Sequence, residues 1–189
     1  MLKVKILVVG PCESGKSVIS NFLADATEIS GGQYNATKGV RILEFESNGS
    51  QNGNRSQSTE VELWDCSGDH RYDECWPAFI KDAQGVIIVY NPDQAKHGKE
   101  LETWYNHFVD NAGLRPDLQC LAFAHHKPNA SNTTAVDLPS SMSNGKVKHA
   151  WTNLEDDAEG LRREFDAFLT KMISALSQQQ NQEELSIIQ

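Results

Sequence analysis

The run Gly10-Pro11-Cys12-Glu13-Ser14-Gly15-Lys16-Ser17 has the residue types, at the spacing, that hold phosphate. Gly10 and Gly15 let the backbone turn tightly enough for successive N–H groups to point inward at an anion. Lys16 adds a point charge for the terminal phosphates, and the Ser17 hydroxyl is placed to ligate Mg²⁺. This chemistry needs a strand before the loop and a helix after it, so that the positive end of the helix faces the anion. Both flanks are present: the chain opens on the apolar run Val4–Val9, and residues 15–26 have a helical pattern. The spacing therefore reads as a phosphate-binding P-loop.

The elements that must carry this loop alternate along the chain. Strands are expected at Val4–Val9, Arg41–Glu46, Glu60–Asp65, Gly85–Tyr90, Leu118–Ala124 and Val147–Trp151, and helices at 15–26, 72–82, 97–110 and 156–177. Gly85–Tyr90 is apolar throughout, as suits a central strand covered on both faces. In the last helix Leu161, Phe165, Phe168, Leu169, Met172 and Leu176 recur at three- and four-residue steps, which makes one stripe for the sheet. This alternation predicts an α/β fold: a six-stranded, mostly parallel sheet with helices on both faces. Residues 1–177 form the domain and 178–189 a flexible polar tail. Ser47–Ser58 reads as an insertion between two strands, and Pro128–Gly145 as a long surface loop.

Composition removes several function classes. The net charge of −9 argues against nucleic acid and against anionic membranes, both of which call for surplus Lys and Arg. No apolar run is long enough to span a bilayer. Cys12, Cys66, Cys75 and Cys120 lack the close pairing of a disulfide framework or a zinc ribbon, so a reducing cytoplasm is expected. Neither His125-His126 nor Cys12, Cys66 and His70 has metal-site spacing. Trp64 and Trp76, beside the Asp65–Gly68 segment, read either as packing or as partner anchors.

Leu63-Trp64-Asp65-Cys66-Ser67-Gly68 ends a strand and resembles the W-D-T-A-G motif of Ras and Rab GTPases. Thr37-Lys38-Gly39-Val40 is similar to the first switch of Rab proteins, and Lys81–Tyr90 to the segment entering their fourth strand. The resemblance implies a P-loop small GTPase fold that binds GTP or GDP with Mg²⁺. It makes Thr37 a second hydroxyl ligand, has Asp65 hold the metal through water, and brings the Gly68 N–H to the γ-phosphate. The base-reading N-K-x-D motif matches His126-Lys127-Pro128-Asn129. Asn129 offers one acceptor where a carboxylate accepts twice, and an unpaired buried donor costs about 1–3 kcal/mol, so weak guanine binding is expected. Thr152-Asn153-Leu154 is the best match to a second, base-side S-A-K motif. Asp69 stands where relatives carry the water-orienting Gln, so no catalytic residue is assigned and slow or absent hydrolysis is expected.

Further blocks narrow the resemblance: Gly39–Phe45, Cys75–Ala78, His125–Pro128 and Asn153–Asp157. They are similar to the Rab-like GTPase subunit of intraflagellar transport complex B. That resemblance implies an adaptor in the cytoplasm, at the ciliary base and in the cilium or flagellum, with coiled-coil subunits of the complex as partners. No prenyl-acceptor cysteine stands near residue 189, so no lipid anchor is expected. An actively cycling switch, and a structural subunit with a vestigial site, are the alternatives.

Overall fold

The structure, a computed structural model, describes residues 2–26, 35–48, 58–127, 138–143 and 145–187. Its sheet runs β2 (Val40–Asn48), β3 (Ser58–Cys66), β1 (Leu2–Val9), β4 (Gly85–Tyr90), β5 (Cys120–His125), β6 (Lys148–Thr152). Only β2 is antiparallel to its neighbour. The expected six-stranded, mostly parallel sheet is therefore present.

Alternation along the central strands divides the core into two layers. Leu7 and Val9 of β1, with Val86, Ile88 and Tyr90 of β4, face Trp76, Trp104 and Phe108. Ile6, Val8, Ile87 and Val89 face the opposite layer, where Ile19 and Leu23 meet the Phe165, Phe168, Leu169 and Met172 stripe. These apolar residues lie on helix α1 (Lys16–Leu23) and helix α5 (Leu154–Ile187). Trp76 is buried against Trp104 and Phe108, with ring centroids 5.0 and 5.1 Å away, so it is core and not a partner anchor.

The helices depart from the sequence expectation in four places. The segment 72–82 is a 3₁₀ turn, His70–Cys75, followed by a short helix α2, Trp76–Ile80. Asp69 caps the turn, and Pro77 near the start of α2 favours a fresh helical beginning there. Helix α3 (Ala95–Tyr105) runs into a π turn, Asn106–Asp110, whose wider winding puts both Phe108 and Val109 into the core. The expected strand from Leu118 starts at Cys120 instead, because Pro116–Gln119 forms one helical turn, α4. Finally, α5 does not stop at 177 but runs on to Ile187. Gln and Glu are good helix formers and no Gly or Pro interrupts them, so what changes at 177 is composition, not secondary structure.

β1 lies between β3 and β4, and the chain leaves its carboxyl end into the 10–17 loop. In open α/β sheets this crevice, where strand order reverses, is the place where ligands bind.

Candidate functional site

Gly10 adopts φ 138°, and a Cβ there would strike the Val89 carbonyl; Gly15 adopts φ 97°, and a Cβ there would strike the His125 ring. Both positions thus need glycine twice over, for conformation and for space. Gly15 leads directly into α1, whose first turn is Lys16 and Ser17, so the loop and the helix N-terminus form one cradle.

Lys16 is buried, and its Nζ donates to the carbonyls of Gly10 (2.9 Å) and Pro11 (2.7 Å). These bonds stretch the side chain back along the loop. Burial brings its pKa down from 10.5 to about 8. The Ser14 hydroxyl is buried in the same loop and has no partner among the described residues.

Three side chains predicted to bind Mg²⁺ come from three elements and meet at the loop's mouth. Ser17 Oγ lies 3.0 Å from Thr37 Oγ1, which donates to Asp65 Oδ2 at 3.4 Å. Asp65, at the end of β3, is fully buried, and its Oδ1 finds no partner among the described residues. Burial pushes its carboxyl pKa up, against the pull of the Ser17 hydroxyl and of Arg41. Two hydroxyls, a buried carboxylate and an unused carboxylate oxygen are the hard donors that Mg²⁺ takes, so these residues fit the ion.

Gly68 abuts the loop itself: a Cβ there would lie 2.5 Å from the Cys12 nitrogen and 2.7 Å from the Gly10 oxygen. The glycine is what lets the segment after β3 close on the phosphate cradle. Asp69 follows, with its carboxylate already engaged. It accepts from the Arg71 backbone N–H at 2.9 Å and from the Arg71 guanidinium at 2.8 and 2.6 Å. Arg71 holds the Asp69 carboxyl below its ordinary range, which makes it a poor base. The neighbouring His70 places Nδ1 3.1 Å from the Asp73 carboxylate and packs near Trp76 and Trp104.

Between Pro11, Cys12, Gly68, Asp69, His70 and α3 lies a cavity of about 220 Å³. His97 lines it, buried, with Nδ1 accepting from the Asn91 N–H at 3.0 Å; burial brings its pKa down to about 4. Burial raises the Cys12 thiol pKa, so this cysteine is a packed thiol and not a thiolate.

On the base side, the two adjacent histidines go to different partners. His125 is buried against the loop, with Nδ1 3.1 Å from Thr152 Oγ1. The ring of His126 stacks on Trp151 (centroids 5.2 Å, planes 16° apart), and its Nδ1 lies 3.3 Å from Asp93. Lys127 is exposed just beyond β5, while Asn129 lies outside the described residues. Of the second base-side segment, Thr152 turns onto His125, and the Asn153 side-chain oxygen Oδ1 caps α5 by accepting from the Glu155 N–H at 3.0 Å.

Sequence reasoning did not reach Arg41, Asp93 or Trp151. Arg41 pairs with Asp65 directly across the β2–β3 ladder, a signal that appears only once the register is known. Asp93 is a loop residue with no motif around it, and Trp151 an edge-strand residue just ahead of Thr152-Asn153-Leu154.

The family model described as "Ras of Complex, Roc, domain of DAPkinase" matches residues 5–127. The intraflagellar transport protein 22 homolog of Danio rerio is 49% identical over 189 residues, covering 100% of both chains. Among solved structures, the GTP-bound T. brucei IFT22/74/81 crystal structure matches with a TM-score of 0.73 and 30% identity, over 92% of this chain and 96% of that one. GDP-bound T. brucei IFT22 matches with a TM-score of 0.66 and 29% identity, over 91% and 97%. The loop, the hydroxyls, Asp65 and the strand order thus stand beside full-length likeness to these relatives: the chain belongs to the intraflagellar transport protein 22 family and has its Ras-like GTPase fold.

Proposed function

We propose that this protein is a GTP- or GDP-binding, Rab-like subunit of the intraflagellar transport B complex, an adaptor whose bound nucleotide steadies a docking surface. The observation that carries this reading is the meeting of Ser17, Thr37 and Asp65 at the mouth of the 10–17 loop. The T. brucei relative, crystallised with GTP and with GDP and in a complex with IFT74 and IFT81, supports the same reading.

In this assignment the backbone of residues 10–15 and Lys16 hold the phosphates, and Gly68 closes on the terminal one. Lys127 and Asn129 take the base. Ser17, Thr37 and Asp65 would hold Mg²⁺, which when bound neutralises phosphate charge. Thr37 lies in the segment just before β2, and Asp65 near the end of β3. Ligands shared with α1 therefore tie these strands to the loop. Hydrolysis is slow because Asp69, at the position that would orient water, is committed to Arg71. Coiled-coil subunits of the complex are the partners, and the protein works in the cytoplasm, at the ciliary base and in the cilium or flagellum.

The test is to purify the protein, identify co-purifying nucleotide by mass spectrometry, and titrate GTP and GDP with Mg²⁺. Bound guanine nucleotide, with turnover far below that of ordinary Rab proteins, is expected. Failure to bind either nucleotide at high micromolar concentration would overturn the proposal.

A further inference from the structure

Asp65 is fully buried and needs a cation, and the structure supplies one from the protein itself. Arg41 Nη2 donates to Asp65 Oδ2 at 3.1 Å and lies 3.5 Å from the backbone oxygen of Ser17. The two residues are direct cross-strand partners, so the sheet fixes the pair and not merely the reach of a long side chain. The same carboxylate oxygen receives Thr37 Oγ1. One guanidinium thus touches both the strand and the helix that carry the proposed metal ligands.

A carboxylate with no solvent contact is costly unless compensated, and the Arg41 guanidinium across the ladder compensates it. A divalent cation drawing on Asp65 then meets a carboxylate already paired with a guanidinium, whose positive charge stays beside the buried oxygen although its own side chain is 42% exposed. We propose that Arg41 is a built-in counter-ion that competes with Mg²⁺ for Asp65, so that nucleotide is retained with unusually little dependence on the metal. The proposal rests on the nucleotide- and Mg²⁺-binding reading above and adds to it a residue that sets metal dependence.

The test follows release of a fluorescent GDP from wild type, Arg41→Gln and Arg41→Lys, from excess chelator to millimolar Mg²⁺. Wild type should release only several-fold faster in chelator. Arg41→Gln should reach half-effect at about tenfold lower Mg²⁺ and release faster than wild type in chelator, while Arg41→Lys, which keeps the charge, should stay near the wild-type midpoint. Equal midpoints for wild type and Arg41→Gln overturn the proposal, as does a hundredfold or greater acceleration of wild-type release by chelator. If Arg41→Gln does not fold, the wild-type dependence on chelator still decides. Thermal unfolding of nucleotide-free protein with Mg²⁺ alone gives a second readout, in which the ion should raise the midpoint of Arg41→Gln more than that of wild type. An equal rise overturns the competition even if no nucleotide binds, whereas absence of nucleotide binding by itself refutes the function proposed above.

Discussion

Gly68→Ala isolates the contact between the segment after β3 and the phosphate cradle. The backbone of Gly68 is not in the left-handed region, so the substitution adds no conformational strain and acts through space alone. The new methyl would lie 2.5 Å from the Cys12 nitrogen, 2.6 Å from the Pro11 carbonyl carbon and 2.7 Å from the Gly10 oxygen. Ordinary contact begins nearly 1 Å further out, and all three obstacles are backbone atoms of a loop pinned by Gly10 and by the two Lys16 hydrogen bonds. One of the two segments must therefore withdraw by about 1 Å. Overpacking of this kind costs about 1–3 kcal/mol, and a displacement of about 1 Å at a positioned group weakens its action by about a hundredfold.

The two nucleotides should not suffer equally. Gly68 faces the end of the loop where a third phosphate is expected, so the variant should lose about ten- to a hundredfold in affinity for a non-hydrolysable GTP analogue and only a few-fold for GDP. Calorimetric titration of both ligands against both proteins reads this ratio, and thermal unfolding reads the stability cost. Gly113→Ala is the control: its φ of 67° makes alanine strained, but nothing lies within 4 Å of the added methyl. It should lower stability by about 1 kcal/mol and leave both affinities unchanged. If Gly68→Ala binds the two nucleotides as wild type does, the reasoning about this contact is wrong.

Asp69→Gln releases Arg71 and replaces a carboxylate by a neutral amide, so single-turnover GTP hydrolysis should rise tenfold or more, while the loss of the cap on the 3₁₀ turn costs about 1 kcal/mol in a melting curve. Asn129→Asp restores a double acceptor for guanine and should tighten GDP binding by about ten- to a hundredfold in a competition titration against ATP. His125 gives the fold an acid limit. Burial holds its pKa at about 4 against an ordinary 6.5, so the unfolded chain takes up its proton first. The resulting stability is complete above pH 6.5 and is lost as pH falls towards 4. Replacing His125 by Asn should flatten the fall in denaturant midpoint across that window.

What the sequence could and could not convey follows from the range of the interactions involved. Gly85–Tyr90 and the α5 stripe were legible because one face of one element records its own burial. The 10–17 loop was legible because phosphate binding needs contiguous residues. Ser17 was assigned from the loop's own spacing, Thr37 and Asp65 through family likeness; their convergence is a product of strand order, since β3 lies beside β1, and β2 beside β3, only after the sheet is built. Arg41 was invisible for the same reason. Its partner is set by a register that passes through the 49–57 stretch, whose length says nothing about pairing. The break of 72–82 into a turn and a short helix depended on a cap whose side chain also binds Arg71, a detail no periodicity contains.

The site separates holding from turnover. Lys16, Ser17, Thr37, Asp65 and Gly68 converge on one mouth, whereas Asp69 is locked by three hydrogen bonds to Arg71. A ligand held there bridges α1, the segment before β2, and β3. If it is present at a hundred times its dissociation constant, it stabilises that arrangement by about 2.7 kcal/mol. Ordering of this size suits a surface that must keep one shape for long periods in an assembly. Under the proposed function fast hydrolysis would release it, and the pairing of Asp69 with Arg71 then serves the same end as the glycines that keep the cradle closed.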